Sequence, residues 1–78
     1  MSSENIGNKQ ARLGNNIRRL RFDANELSQL ELANAVGVTR LTIHSIETGK
    51  FNPSVSLAIR IAKYFGKQVE DVFYLYYE

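Results

Sequence analysis

The side chains that could carry out chemistry in this 78-residue sequence are few, and most of them are basic. His44 is the only histidine and there is no cysteine, so disulfides, thiolate zinc sites and cysteine nucleophiles are excluded. The sequence has no glycine-rich phosphate loop and no pair of carboxylates set against a nucleophile. We therefore expect no enzyme activity, no cofactor, no metal and no small-molecule ligand.

The positive charges are concentrated near the start of the chain, although the net charge is only +2. Every charged residue from Lys9 to Arg21 is basic, Arg40 and Lys50 form a second basic group, and the end of the chain is acidic. A basic surface suggests a polyanionic partner, but charge alone does not separate DNA, RNA and an acidic protein. Binding of single-stranded RNA favours aromatic residues on an open basic sheet. Here the aromatic residues cluster with the acids, which disfavours RNA.

The length of the chain indicates one small domain. No apolar run approaches the ~18 to 20 residues that cross a bilayer, and the polar residues 1–10 lack the apolar stretch of a secretion signal. We predict a cytoplasmic protein without membrane contact, a flexible tail over residues 1–9 and a folded domain over residues 10–73.

Apolar spacing predicts an all-α fold of five helices. Leu13, Ile17 and Leu20 lie at i, i+4 and i+7 and form the apolar stripe of the first helix. The start of this helix is left open, because residues 14–16 (Gly-Asn-Asn) could lie inside it or cap it.

The second and third helices follow each other closely. Ser28 and Glu31 form a capping box at the start of the second helix, which stops at Gly37, and Thr39 caps the third helix. Two helices joined by such a short turn with glycine cross steeply. The sequence therefore predicts a helix-turn-helix over about residues 28–48.

The end of the chain predicts an extended segment. A fourth helix follows Ser54 and a short fifth helix starts near Val69, after which residues 72–77 are rich in aromatics with strand propensity. Such a segment is an aggregation hazard when exposed. We expect residues 74–78 to form an edge strand or aromatic clasp at a homodimer interface, or else to fold back onto the chain's own core.

A series of short runs matches a known pattern: Leu27-Ser28-Gln29, Leu32-Ala33, Gly37-Val38-Thr39-Arg40, Thr42-Ile43, Ile46-Glu47-Thr48-Gly49-Lys50, Asn52-Pro53-Ser54, Ile61-Ala62-Lys63 and Val69-Glu70-Asp71-Val72-Phe73. Together they resemble the phage-repressor and Cro-type (xenobiotic-response-element) helix-turn-helix family over residues 17–73. More narrowly, the chain is similar to small standalone repressors related to the cytolysin repressor, which dimerise through their C-terminal ends. The resemblance implies a five-helix, lambda-repressor-like DNA-binding domain with a short C-terminal extended or β segment.

The resemblance also assigns roles to individual residues. The start of the recognition helix would contact base edges in the major groove through Arg40, Leu41, His44 and Ser45. Phosphate contacts are implied for Gln29, Thr39, Thr42, Lys50 and Asn52. A structural ion pair would join Arg21 to Glu47, and the dimer interface would contain Val69, Val72, Phe73, Tyr74, Leu75, Tyr76 and Tyr77.

Some assignments have alternatives, and the match has two departures. Leu41 would contact a thymine methyl group or be an incidentally exposed leucine, and a DNA contact by His44 competes with simple exposure. The turn at residues 22–26 is one residue longer than the common family pattern, and Phe22 is a candidate to fill the space this creates. Gln68 stands where the family prefers serine or threonine, so its helix cap should be weak.

Taken together, these features predict a transcriptional repressor that binds double-stranded DNA as a homodimer, on a palindromic, inverted-repeat operator. The alternative is an antitoxin or another protein-interaction module with secondary DNA binding. In that case the aromatic end of the chain would contact the protein partner.

Overall fold

The computed structural model describes residues 10–78, and the flexible tail predicted for residues 1–9 lies outside this range. The described residues form five helices and a two-stranded sheet. In chain order the elements are β1 (Ala11–Asn15), α1 (Ile17–Asp23), α2 (Gln29–Val36), α3 (Arg40–Glu47), α4 (Val55–Tyr64), α5 (Val69–Val72) and β2 (Phe73–Tyr77). The predicted five-helix architecture with a C-terminal β segment is confirmed. Within residues 10–78, no helix has the length and apolar character needed to cross a membrane.

The first strand corrects the prediction that Leu13 shares a helix with Ile17. β1 pairs antiparallel with β2 along its whole length, and Leu13 packs against the core from this strand. Gly14, Asn15 and Asn16 are poor helix formers. The Oδ1 atom of Asn15 accepts a hydrogen bond from the N–H of Ile17 at 3.1 Å, so α1 begins only there.

The C-terminal segment folds back onto the start of the same chain. Tyr74 lies opposite Gly14 in the sheet, and a Cβ atom at position 14 would overlap the Tyr74 ring. Glycine therefore lets an aromatic ring lie across β1. Beyond the sheet, the N–H of Asn16 donates to the carbonyl of Val72 at 2.8 Å, which fixes the junction between β1 and α1.

Local capping defines the two helices of the motif. The hydroxyl of Ser28 accepts from the N–H of Glu31 at 2.9 Å, and the Glu31 carboxylate accepts from the N–H of Ser28 at 2.9 Å. Gly37 ends α2 with φ = +80°, a left-handed conformation that favours glycine. The hydroxyl of Thr39 accepts from the N–H of Thr42 at 3.2 Å and begins α3.

The two departures from the family pattern have visible consequences. The longer turn contains two consecutive left-handed residues, Asn25 (φ 63°) and Glu26 (φ 58°). Phe22 is 67% exposed, so the suggestion that it fills space in this turn is wrong. The side chain of Gln68 does not cap α5; instead, the Asp71 carboxylate accepts from the N–H of Gln68 at 3.2 Å.

The core is a single apolar cluster shared by all five helices and the start of β2. Burial of each large aliphatic side chain in such a cluster contributes about 1.5–3 kcal/mol. Among the described residues, no buried side-chain nitrogen or oxygen lacks a hydrogen-bond partner. The buried apolar residues are Ile17, Leu32, Ala33, Val36, Ile43, Ile46, Leu57, Ala58, Ile61, Ala62, Val72 and Phe73.

An ion pair connects α1 to the end of α3. The Nε of Arg21 lies 2.7 Å from one Glu47 oxygen and its Nη2 lies 3.0 Å from the other. The remaining Nη1 donates to the carbonyl of Leu27 at 2.8 Å. The Arg21 and Glu47 side chains are only 16% and 7% exposed. Because this contact is bidentate, it fixes the relative orientation of the two side chains as well as the distance between them.

Replacement of Glu47 by alanine is expected to lower the free energy of unfolding by about 3 kcal/mol, because Arg21 would stay largely buried without its partner. The exposed pair of Arg19 and Asp23, 3.3 Å apart, provides the control. Asp23→Ala should change stability by less than about 0.5 kcal/mol. Urea denaturation at one fixed protein concentration measures both, and equal losses would contradict the structural role of Glu47.

The capping box of α2 should make stability depend on pH. Hydrogen bonds from the Ser28 backbone N–H, and secondarily from its hydroxyl, hold the pKa of Glu31 below its ordinary value. The ionised Glu31 carboxylate therefore contributes fully to the free energy of unfolding above the unfolded-state pKa of about 4.3. This contribution is lost as the pH falls through the lower folded-state pKa.

An NMR titration is expected to give a pKa for Glu31 below that of an unfolded glutamate. Glu31→Gln keeps an acceptor for the Ser28 N–H but no longer titrates, so this variant should lose that part of the acid dependence of unfolding. A pKa at or above the ordinary value would show that the hydrogen bonds do not favour the carboxylate.

Candidate nucleic-acid interface

The helix α3 has one buried and one outward face. Ile43 and Ile46 are 0% and 2% exposed and anchor it against α2 and the rest of the core. The opposite face carries the residues expected to contact bases, of which the first three are exposed and the last is half-buried: Arg40, Leu41, His44 and Ser45. Leu41 is 62% exposed, so the chain's own core does not account for its apolar side chain.

Arg40 is held by the first residue of α2. Its Nη1 donates a hydrogen bond to the amide oxygen of Gln29 at 2.9 Å. A guanidinium has five N–H donors, so the Nε and Nη2 groups stay available on the same planar side chain. The arginine at the start of α3 is therefore already restrained in direction without a ligand.

The amide of Gln29 is itself oriented. Its Nε2 donates to the Glu47 carboxylate at 3.1 Å and lies 3.5 Å from the Nδ1 of His44. The amide oxygen consequently points to Arg40. A continuous hydrogen-bonded chain thus runs from Arg40 through Gln29 and Glu47 to Arg21, which connects α3, α2 and α1.

The other residues expected to contact phosphate lie at the two ends of α3. Thr39 and Thr42 have their hydroxyl oxygens 3.0 Å apart at its start. Lys50 and Asn52 are exposed in the loop after its end. The carbonyl of Ser45 accepts from the N–H groups of Lys50 and Phe51, at 2.9 and 3.2 Å, so this loop is fixed against α3.

The residues assigned to a dimer interface separate into two groups. Val72 and Phe73 are 0% and 6% exposed and lie in the chain's own core, so the assignment of their side chains to a partner surface is corrected. Val69 is partly buried against the same core. The last four residues of β2 are 45–61% exposed: Tyr74, Leu75, Tyr76 and Tyr77. Because side chains alternate along a strand, Tyr74 and Tyr76 lie on one face of the sheet, and Leu75 and Tyr77 lie on the other.

The link between Gln29 and its two partners has no signal in the sequence. Gln29 lies 11 residues before Arg40 and 18 before Glu47, so no helical spacing relates them. Only the steep crossing of α2 and α3 brings them together. Arg18, to which neither spacing nor the family resemblance assigns a role, borders a cleft with Gln29 and His44.

Comparison with known proteins supports the family that the sequence resembles. A sequence model of the helix-turn-helix family matches residues 17–72, from the first residue of α1 to the last of α5. An uncharacterized HTH-type transcriptional regulator of Methanocaldococcus jannaschii is 53% identical over 47 residues, which are 60% of this chain and 71% of that protein.

Two further relatives carry similar names. An uncharacterized HTH-type transcriptional regulator of Methanothermobacter thermautotrophicus is 52% identical over 50 residues, covering 63% of this chain and 72% of that protein. The uncharacterized HTH-type transcriptional regulator YgzD of Bacillus subtilis is 50% identical over 48 residues, covering 62% and 73%. With a match across all five helices, this chain belongs to the helix-turn-helix family of DNA-binding transcriptional regulators.

Proposed function

We propose that this protein is a transcriptional repressor that binds an inverted-repeat operator as a homodimer. The observation that carries the proposal is the outward face of α3, which presents Arg40, Leu41 and His44 while two isoleucines hold the helix from behind. In a dimer, two such helices would enter successive major grooves about 34 Å apart. The bound dimer would then occlude the promoter.

In this function Arg40 contacts a guanine. Its Nη1 stays bonded to Gln29, while the remaining donors of the guanidinium bond the O6 and N7 atoms of the base, which is worth about 1–3 kcal/mol of discrimination. Leu41 packs against a thymine methyl group, and His44 and Ser45 contact neighbouring base edges. Because Arg40 is already restrained, less rotamer entropy is lost on binding.

Phosphate contacts surround these base contacts. Thr39, Thr42, Lys50 and Asn52 lie at the two ends of α3, and Gln29 lies at the start of α2, where backbone N–H groups favour an anion. These contacts position the protein on the duplex and carry little sequence information. Gln29 has a double role, since it also holds Arg40.

Arg40→Ala and Lys50→Ala separate the two roles, because each removes one positive charge. Arg40→Ala is expected to relax specificity at one base pair of each half-site, at a cost of about 1–3 kcal/mol. Lys50→Ala should weaken all duplexes similarly and make the salt dependence less steep. Gln29→Ala is not a clean phosphate probe, because it also frees Arg40.

The experiment is selection of bound sequences from a random duplex library with wild type and both variants. An inverted repeat should emerge for wild type, and one position per half-site should become degenerate for Arg40→Ala only. If wild type selects no sequence, or if both variants lose the same positions, the proposed base contacts are wrong.

The exposed end of β2 is proposed to form the homodimer interface. Leu75 and Tyr77, which share one face of β2 because side chains alternate along a strand, are 61% and 48% exposed, and an uncovered strand edge of this composition favours association. Two copies of β2 would bury this surface against each other. The same surface is the feature that would serve an antitoxin, whose aromatic end binds an unrelated protein.

Sedimentation velocity of Leu75→Ser and Tyr77→Ser is expected to show monomers at concentrations where wild type is a dimer, because each variant removes apolar contact area from the interface. Phe22→Ser, which removes a 67% exposed aromatic residue from the end of α1, is the control and should stay dimeric. A monomeric wild type that purifies from its native cells with a stoichiometric unrelated protein would favour the antitoxin function instead.

A further inference from the structure

A surface cleft lies between α1 and α3, beside the hydrogen bonds that join Gln29 and Arg21 to Glu47. It has a volume of about 350 Å³ and is lined by Arg18, Arg21, Gln29, His44, Glu47 and Thr48. Two of these residues, Gln29 and His44, are already proposed to face DNA. The cleft therefore lies beside the proposed interface, and its rim on the α1 side is formed by arginines.

The two arginines of this cleft differ in how their charges are used. Arg21 is largely buried and its charge is neutralised by the bidentate contact with Glu47. Arg18, three residues earlier on the same face of α1, is exposed. Within residues 10–78 three ion pairs form, and Arg18 takes part in none of them. Its positive charge is thus the one left uncompensated at this cleft.

The neighbouring carboxylates do not remove this charge. Glu26 lines a second, smaller cleft with Arg18, but among the described residues it forms no ion pair with Arg18. Asp23 is 3.3 Å from Arg19 instead. An exposed guanidinium with free donors matches the geometry of a phosphate, which it binds through two parallel hydrogen bonds.

We infer that Arg18 is an additional phosphate contact, which extends the DNA interface from α2 and α3 onto α1. This inference rests on the proposed function. The phosphate would lie at the mouth of the cleft that Arg18 lines together with Gln29 and His44. Because Arg21 and Glu47 line the same cleft and join α1 to α3, the contact would hold the recognition helix in a fixed orientation relative to the duplex backbone.

Arg19 offers a matched control for this contact. It is adjacent in sequence and exposed on the same helix, but it is paired with Asp23 and does not line the cleft. Arg18→Ala and Arg19→Ala each remove one positive charge from α1, so any general effect of net charge is common to both. Arg18→Lys keeps the charge without the planar pair of donors.

The test measures DNA affinity as a function of salt for wild type and these three variants, on both a selected duplex and a random-sequence duplex. A homodimer would lose two phosphate contacts in Arg18→Ala, so the slope of log affinity against log salt should become less steep by about 1.8. Between 0.05 and 0.2 M salt this corresponds to a roughly tenfold smaller change in affinity. Arg19→Ala should keep the wild-type slope, and the slope of Arg18→Lys should be close to that of wild type.

The outcomes separate this inference from the function beneath it. Equal slopes for Arg18→Ala and Arg19→Ala, or a wild-type slope for Arg18→Ala, would overturn the role of Arg18 alone. Loss of binding to the selected duplex but not to the random one would also overturn it, since a phosphate contact acts on both. A wild-type chain with no salt-dependent affinity for duplex DNA would overturn the proposed function, and this inference with it.

Discussion

The carboxylate of Glu47 sets the arrangement of the first three helices. Its side chain is only 7% exposed, and a buried charge is tolerated only when it is paired and fully hydrogen-bonded. Glu47 meets this condition with two hydrogen bonds from Arg21 and one from Gln29. Because those donors come from α1 and α2, the end of α3 can be buried only where all three helices meet. The outward face of α3 is positioned by this requirement as much as by its isoleucines.

Those parts of the fold that depend on local spacing could be predicted from the sequence. Ser28, Gly37 and Thr39 act through residues three or four positions away, and their caps define the helix-turn-helix. Pairing of β1 with β2 could not be predicted, because the partners lie about 60 residues apart and Leu13 fits a helical stripe by coincidence of spacing. Weak helix propensity at residues 14–16 was visible, but its consequence depended on a strand at the other end of the chain.

The candidate site likewise has residues whose positions the sequence predicts and contacts that it does not predict. Periodicity alone places Arg40, Leu41 and His44 opposite the buried isoleucines, and the structure has them exposed. Hydrogen bonds between helices, such as that from Arg40 to Gln29, follow from the crossing angle and have no signature in spacing. Burial of Phe73 was likewise hidden, since a run of aromatics does not reveal which member turns toward the core.

The sheet lies outside the residues that match the family, yet it is joined to the start of α1. Asn16 donates to the carbonyl of Val72 where β2 begins, and the side chain of Asn15 donates to the carbonyl of Ile46 at 3.0 Å, near the end of α3. A partner that binds β2 would therefore also restrict the motion of α3. By thermodynamic reciprocity, a ligand bound to α3 would then raise the affinity of β2 for that partner by the same factor by which the partner raises the affinity of α3 for its ligand. The two asparagines thus connect the sheet with both α5 and α3 through single hydrogen bonds.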